Sequence, residues 1–282
     1  MCKTCKKPFT EPVAGIFPRR RTTQRFRRSI RDKCINFVNL SRVRKNVKCS
    51  SGLIYQLHYE QAEIKLRELK GVSWPKQIGI DEHFFSRSKG YTEFATVFTN
   101  LKKGKLFELG YSKNKKALIE QFSHIPGREN VEIVAIDLSA GYRSFVKHFF
   151  PNAKIVADKF HVLRLPTPSI IKRRKDIHGH RKELWIRRRL LKNRKDLDYE
   201  TRSQIDFYLS QHPELNELYR AKEKLHEVYR SKGIHRATAS FEKLIAQIEK
   251  SQLPELQRLK RTLLKWKNEI LLYFKTGVTN AL

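Results

Sequence analysis

Residues 131–158 read VEIVAIDLSAGYRSFVKHFFPNAKIVAD, and this stretch decides the fold. The apolar run at 131–136 ends at Asp137, and its nearly continuous apolar character is typical of a central strand buried on both faces. Ala140–Phe149 has the periodicity of a helix, and Lys154–Ala157 is a second short strand that ends at another aspartate. The stretch therefore predicts a strand, a helix and a strand, with a carboxylate at the end of each strand.

Three more strands are predicted upstream. Residues 77–81 are a short run that ends in acids, 91–99 alternate and are rich in aromatic and β-branched side chains, and 105–109 follow a turn. A helix is predicted over Lys115–Phe122. The order of three strands, helix, strand, helix and strand predicts an α/β domain with a mixed sheet.

The N-terminal part of the chain is basic and helical. One helix is predicted over 22–38, and after a break near Leu40 and a short basic stretch, Ser50 and Ser51 would cap a second helix that ends near Leu69. Two helices joined by a short turn predict a helix-turn-helix that binds DNA. The alternative is a basic helical linker that touches only phosphates. The arginines concerned are Arg19, Arg20, Arg21, Arg25, Arg27 and Arg28.

The part of the chain after Phe160 is dominated by amphipathic helices. Its tract 172–195 places basic residues on all sides of a helix, so some of them must contact something other than the core. DNA phosphates are the predicted partner, and a solvated charged helix is the alternative. The basic residues singled out are Lys172, Arg173, Arg174, Arg187, Arg188 and Arg189.

The composition supports a nucleic-acid partner. The 60 Lys and Arg against 28 Asp and Glu give a formal net charge of +32, and self-repulsion of this size destabilises a compact chain unless a polyanion offsets it. With 39% apolar residues the chain can bury a core, which argues against disorder. The longest apolar runs are far short of the ~20 residues that span a bilayer, and no secretory signal is evident, so we expect a cytosolic protein.

Asp81 and Asp137 are the main candidates for chemistry, because each ends a predicted strand after a similar run, IGID and VAID. If these strands are parallel and adjacent, the two carboxylates emerge at one edge of the sheet and repel each other, which a divalent cation relieves. Oxygen ligands favour Mg²⁺ or Mn²⁺, and two such ions can support phosphodiester cleavage. The alternative for each aspartate is a turn or helix cap, and Asp137 precedes the helix that starts at Ala140.

Two longer stretches carry a family resemblance: IGIDEHFFSRSKGYTEFATVFTNLKKGKLFEL at 78–109 and AIDLSAGYRSFVKHFFPNAKIVADKFHVLRL at 135–165. Their Asp-Glu, Asp-x-Ser-x-x-Tyr and Asp-x-Phe-His-Val blocks resemble the catalytic domain of the ISL3 family of insertion-sequence transposases. The resemblance implies a bacterial enzyme with a ribonuclease H-like mixed sheet, a long helical insertion and an Asp-Asp-Glu metal site. It implies that Asp81 is the first ligand and Asp137 the second, with Asp158 as a reserve ligand or a supporting group.

The resemblance also implies a zinc-binding module of two cysteine pairs at the N-terminus of family members. Cys2 and Cys5, followed by FTE at 9–11, resemble the second pair, and the first pair would lie upstream of Met1. A structural zinc site needs four ligands. Zn²⁺ binding by this chain alone is therefore not expected.

At the other end, the third acid of the family follows a Thr-Asn-Ala block. Here TNAL occupies 279–282, and the acid would fall beyond Leu282. Glu255 and Glu269 are no evident substitute, because they are expected on the solvated faces of amphipathic helices. We therefore predict a chain that is truncated at both ends.

These expectations divide the chain into four segments. They are a remnant of the zinc-binding module (1–21), a helical DNA-binding region (22–76), the ribonuclease H-like core (77–160), and a basic helical insertion with the C-terminal helices (161–282). The basic residues around the second segment and in the fourth would contact DNA, and the third would hold the metal ligands.

The leading hypothesis is a transposase that binds double-stranded DNA at the terminal inverted repeats of its element, and cleaves and joins strands by a two-metal mechanism. Without the third acid, this chain alone is expected to be inactive or to nick DNA weakly. The alternative is a DNA-binding fragment without catalysis, either an inhibitor of an intact transposase or an inactive remnant. It would act at the bacterial nucleoid, as a monomer or a homo-oligomer.

Overall fold

A computed structural model describes residues 1–8, 13–16, 20–37, 39–68, 71–88, 91–179 and 184–280. The chain divides into two compact units, Met1–Val72 and Ser73–Leu282. Within the described ranges, no helix has both the length and the apolar character needed to cross a bilayer.

The described residues of the first unit form three helices, α1 (Gln24–Asn36), α2 (Leu40–Val47) and α3 (Ser51–Glu68). The side chains of Thr23 and Asn39 cap α1 and α2, because their oxygens accept hydrogen bonds from backbone N–H groups of the first turn. Apolar residues of all three helices meet in a small core formed by Ile30, Cys34, Val43, Ile54 and Leu57.

Helix α2 differs from the sequence prediction, which gave two helices with a short basic stretch between them. Leu40, Val43 and Val47 recur at three- and four-residue spacing; Val43 is fully buried, and the other two pack against the same core. Residues 48–50 then lead into α3, and Lys48 has a left-handed conformation with φ of +50°. Three residues therefore separate α2 from α3, as three separate α1 from α2.

In the described part of the second unit, five strands form one sheet in the order β3-β2-β1-β4-β5. Strands β1, β2 and β3 are antiparallel neighbours, whereas β1, β4 and β5 run parallel. The predicted α/β fold with a mixed sheet is confirmed, and it is compatible with the ribonuclease H-like fold. The strands are β1 (Gln77–Ser88), β2 (Tyr91–Asn100), β3 (Lys105–Gly110), β4 (Ile133–Ile136) and β5 (Lys154–Ala157).

Strand β1 is longer than predicted. The sequence prediction ends it at Asp81, but it continues to Ser88 because β2 supplies an antiparallel backbone partner along its whole second half. Its parallel pairing with β4 ends at Ile80. Asp81 therefore lies at the point where the pairing of β1 with β4 has ended. Beyond this point, β1 pairs with β2 in the β1–β2 hairpin.

An aromatic core fixes the sheet against helices α4 (Lys115–Phe122) and α5 (Ala140–Phe149). The buried Trp74 ring lies at its centre, with five phenylalanine rings at centroid distances of 5.0 to 5.9 Å, mostly edge to face. These rings belong to Phe98, Phe107, Phe122, Phe149 and Phe150. This aromatic core therefore packs the sheet that carries the aspartates against α4 and α5.

After β5, the described chain is helical until residue 276, and its apolar residues join the same core as the sheet. The last helix packs against β5, so the helical segment leaves the sheet and returns to it, as an insertion does. The helices are α6 (Lys159–Arg164), α7 (Thr167–His178), α8 (Leu184–Leu191), α9 (Tyr199–Ser210), α10 (Pro213–Arg230), α11 (Ile234–Glu249), α12 (Pro254–Lys265) and α13 (Lys267–Thr276).

Candidate active site

The register of the parallel strands aligns three aspartates. Ile80 of β1 is the partner of Ile136 of β4, which is in turn the partner of Ala157 of β5. These are the last paired positions, and laterally aligned residues project from the same face of a sheet. The next residue on each strand is an aspartate, and together they form a row at one edge of the sheet: Asp81, Asp137 and Asp158.

Asp81 and Asp137 are partly buried, and each uses one oxygen locally. Oδ1 of Asp81 accepts from the N–H of Glu82 at 2.8 Å, and Oδ1 of Asp137 accepts from the N–H of Ser139 at 3.2 Å. The cap of α5 is Ser139, whose hydroxyl oxygen accepts from the N–H of Tyr142. Helix α5 therefore does not depend on Asp137 as its cap.

Burial and mutual repulsion disfavour the charged form of the carboxylates at the edge between β1 and β4. Burial raises the pKa of Asp137, and the nearby carboxylates of Glu82 and Asp81 raise it further, while His161 offsets part of the effect. A cation at this edge would relieve the repulsion. The pair therefore has the oxygen donors that suit a hard divalent cation.

Asp158 is placed differently, because it is 2% exposed and bonded through both oxygens. Oδ1 accepts from the Thr279 hydroxyl at 2.6 Å and from the Asn280 N–H at 3.0 Å. Oδ2 faces His161, at 3.4 Å from its N–H and 3.0 Å from its Nδ1. Burial alone would raise the pKa of Asp158, but these hydrogen bonds hold it below its usual value.

A cleft of about 430 Å³ opens beside Asp81. Lys113 stands near it, since its ammonium pairs with Glu82 at 2.8 Å and lies 3.9 Å from the centre of the Phe94 ring. Carboxylates and the exposed Phe160 ring thus line the cleft, and the Lys113 ammonium lies beside it. Its lining residues are Asp81, Glu82, His83, Val97, Thr99, Asp158, Phe160, His161 and Asn280.

No group of three or more His, Cys, Asp or Glu side chains in the described ranges is arranged to hold a metal ion. The backbone N–H of Cys2 donates to the Lys7 carbonyl, and Cys5 is exposed. Hydrogen bonding to the backbone of Cys5 lowers the pKa of the Cys2 thiol. The partial zinc site stays a prediction, and residues 9–11 of its motif lie outside the described ranges.

The arginines predicted to bind DNA in the first unit fall into two groups. Arg27 is 7% exposed and pairs with Glu60 of α3, so it is committed to the fold. Arg19 lies outside the described residues. The exposed members are Arg20, Arg21, Arg25 and Arg28.

The basic tract of the second unit divides in the same way. Arg173 pairs with Glu214 and Glu255, and Arg174 is 5% exposed. Arg189 donates to Gln204 and lies over the Trp185 ring. The exposed members are Lys172, Arg187 and Arg188.

Two glutamates differ from the sequence expectation of solvated positions. Glu255 and Glu269 are each 7% exposed and pair with Arg173 and Arg143. Their helices pack into the core, and the arginine partners compensate their charge. Neither glutamate lines the cleft beside Asp81.

Sequence reasoning missed the polar partners of the site. His161 belongs to the quoted Asp-x-Phe-His-Val block, but the sequence prediction gives it no role. The structure pairs it with Asp158. The three-residue spacing from Asp158 was the available signal, because it is the spacing of an N-cap and the first turn of a helix.

The comparisons with known proteins agree with this architecture. A family model described as Transposase, of the ISL3 DDE type, matches residues 78–282. The chain is 24% identical over 233 residues to the "Transposase for insertion sequence element IS1001" of Bordetella parapertussis. The aligned region covers 81% of this chain and 55% of that relative. The chain thus spans about half the length of the curated relative it matches.

Proposed function

This chain belongs to the ISL3 family of insertion-sequence transposases, and from that premise we propose that Asp81 and Asp137 are metal ligands for DNA strand cleavage. The observation that carries the proposal is the register of β1 against β4, which puts the two aspartates side by side at the carboxyl edge of parallel strands. The family generally uses divalent metal, and Mg²⁺ or Mn²⁺ suits two carboxylates.

Divalent cations bound at this edge would activate an attacking oxygen and stabilise a leaving one at the scissile phosphate. Asp81 and Asp137 would hold the cations in a fixed position, because β1 and β4 are hydrogen-bonded to each other up to the residues that precede the two aspartates. The third acid of the family pattern follows the block that contains Thr279 and Asn280. Nδ2 of Asn280 donates to the Ile80 carbonyl, so the start of this block lies at the same edge.

Manganese binding tests the proposal directly. We expect the chain to bind Mn²⁺ saturably, and Asp81→Asn to weaken the binding at least about tenfold, because it removes a charged ligand from a two-carboxylate site. Electron paramagnetic resonance of free Mn²⁺ in a titration measures this. Glu120→Gln, an exposed acid on α4, is the control and should leave the affinity unchanged. Equal affinity of the Asp81→Asn variant and the unmodified chain would contradict the assignment.

We propose that the first unit binds double-stranded DNA at the ends of the element. The α2–turn–α3 arrangement has a short connection and a long second helix, which suits a helix in the major groove. Exposed cations surround it, and Tyr55 and Tyr59 are exposed on α3. The exposed cations of this surface are Arg20, Arg21, Arg25, Arg28, Arg42, Arg44 and Lys45.

The salt dependence of DNA affinity tests this surface. Replacing Arg25 and Arg28 together with glutamine is expected to weaken binding for all sequences alike and to reduce the slope of log K against log salt by about 2, since each lost phosphate contact removes about 0.9. Fluorescence anisotropy at several salt concentrations gives the slope. Lys232→Gln, an exposed cation between α10 and α11, should leave it unchanged. An unaltered slope in the double variant would exclude these arginines from the interface.

A further inference from the structure

The segment 277–280, here called the strap, crosses the carboxyl edge of the sheet after α13 ends. Gly277 turns the chain with a φ of +67°, and Asn280 then contacts residues of β1, β2 and the end of β5. Because β4 lies between β1 and β5, these contacts bridge the strands on either side of Asp137. The strap therefore lies at the edge assigned above to the metal ligands.

We propose that Asp158 is a positioning residue that fixes the strap against β1, and thereby holds Asn280 at the edge that carries Asp81 and Asp137. The functional half of this inference rests on the proposed function, but the anchoring itself does not. Asp158 is the most buried carboxylate of the row, and two of its four hydrogen bonds go to the strap. A buried carboxylate is stable only when such bonds compensate its charge.

The other side of the strap is held by β1 and β2. The Thr99 hydroxyl lies 3.1 Å from Oδ1 of Asn280 and can donate to it, and Nδ2 of Asn280 donates to the Ile80 carbonyl at 3.4 Å. Gly79 makes this approach possible, because a Cβ there would overlap Oδ1 of Asn280 and the Thr99 hydroxyl. The glycine at position 79, in β1 and two residues before Asp81, thus has a packing reason.

The arrangement argues for anchoring rather than for direct metal ligation by Asp158. Its Oδ1 is bonded to Thr279 and Asn280, and its Oδ2 faces His161 and caps α6. A cation would have to displace these partners, whereas Asp81 and Asp137 each have a single hydrogen bond from a backbone N–H close in sequence. The two roles make different predictions for variants of Asp158.

Amide hydrogen exchange of the full chain, read by mass spectrometry over 277–280 and over β4, tests the anchoring. Asp158→Ala is expected to speed exchange of the strap at least about tenfold while β4 stays protected. Thr279→Val removes one donor without touching the core, and it should act in the same direction even if Asp158→Ala folds poorly. Thr262→Val, whose hydroxyl donates within α12, is the matched control and should change neither segment.

Manganese affinity separates anchoring from ligation. The Asp158→Ala and Thr279→Val variants are expected to retain Mn²⁺ affinity within about threefold, in contrast to Asp81→Asn, because neither change removes an oxygen ligand of the cation. Unchanged strap exchange in both variants, or loss of Mn²⁺ binding in Asp158→Ala, would overturn the proposal. If the unmodified chain binds no Mn²⁺ while both variants release the strap, the proposed metal site fails and the anchoring by Asp158 is supported.

Discussion

Magnesium-dependent nicking of supercoiled plasmid by this chain is expected to fall at least about 100-fold when either Asp81 or Asp137 is replaced by asparagine. Asparagine keeps the size of the side chain and one oxygen but removes the charge that holds a cation. Because the two residues are neighbours across parallel strands, either loss breaks the same site. The measurement is the initial rate of conversion from supercoiled to open-circular DNA at fixed Mg²⁺, with chelator blanks.

A neighbouring carboxylate provides the control for this effect. Glu82 lines the same cleft but is paired with Lys113, so Glu82→Gln is expected to reduce nicking by less than about tenfold. Nicking that survives in Asp81→Asn would show that the cleavage arises elsewhere. DNA binding without nicking, together with no Mn²⁺ binding by the unmodified chain, would favour the non-catalytic DNA-binding alternative.

The central strands and the helix between them were predictable because their signals are local. The apolar run before Asp137 and the periodicity of α5 depend on neighbours in the sequence, and the structure reproduces both. Strand β1 was predicted too short for the opposite reason. Past Asp81 its backbone partners come only from β2, so its extent depends on hairpin pairing that a single run of residues does not encode.

The polar surroundings of the site depend on residues far away in sequence. Thr279 and Asn280 reach Asp158 across 121 and 122 positions, which no local pattern indicates. The exposure of the arginines likewise depends on residues far away in sequence. Arg27 and Arg173 look like their exposed neighbours in sequence, but both pair with distant glutamates, and Arg27 is buried. Charge patterns predicted the basic surface, whereas tertiary contacts decide which cations remain on it.

Replacing Lys222 with methionine is expected to lower the free energy of unfolding by roughly 3 kcal/mol. Lys222 is 1% exposed in α10, and its ammonium donates to the carbonyls of Leu190 and Lys192 at 2.7 and 2.5 Å. It also pairs with Glu223 at 2.7 Å. Methionine fills a similar volume but leaves two carbonyls without the ammonium donor and a mostly buried carboxylate without its ion-pair partner. Urea unfolding, followed by circular dichroism, gives the difference.

Two further variants decide whether this loss comes from the buried ammonium. Lys224→Met removes a more exposed cation that pairs with Glu227 on the same helix, and it should cost less than about 1 kcal/mol. Adding Glu223→Gln to Lys222→Met should recover about 1 kcal/mol, because it removes the carboxylate that the first change leaves unpaired. Equal losses at Lys222 and Lys224 would mean that Lys222 contributes no more than a surface ion pair.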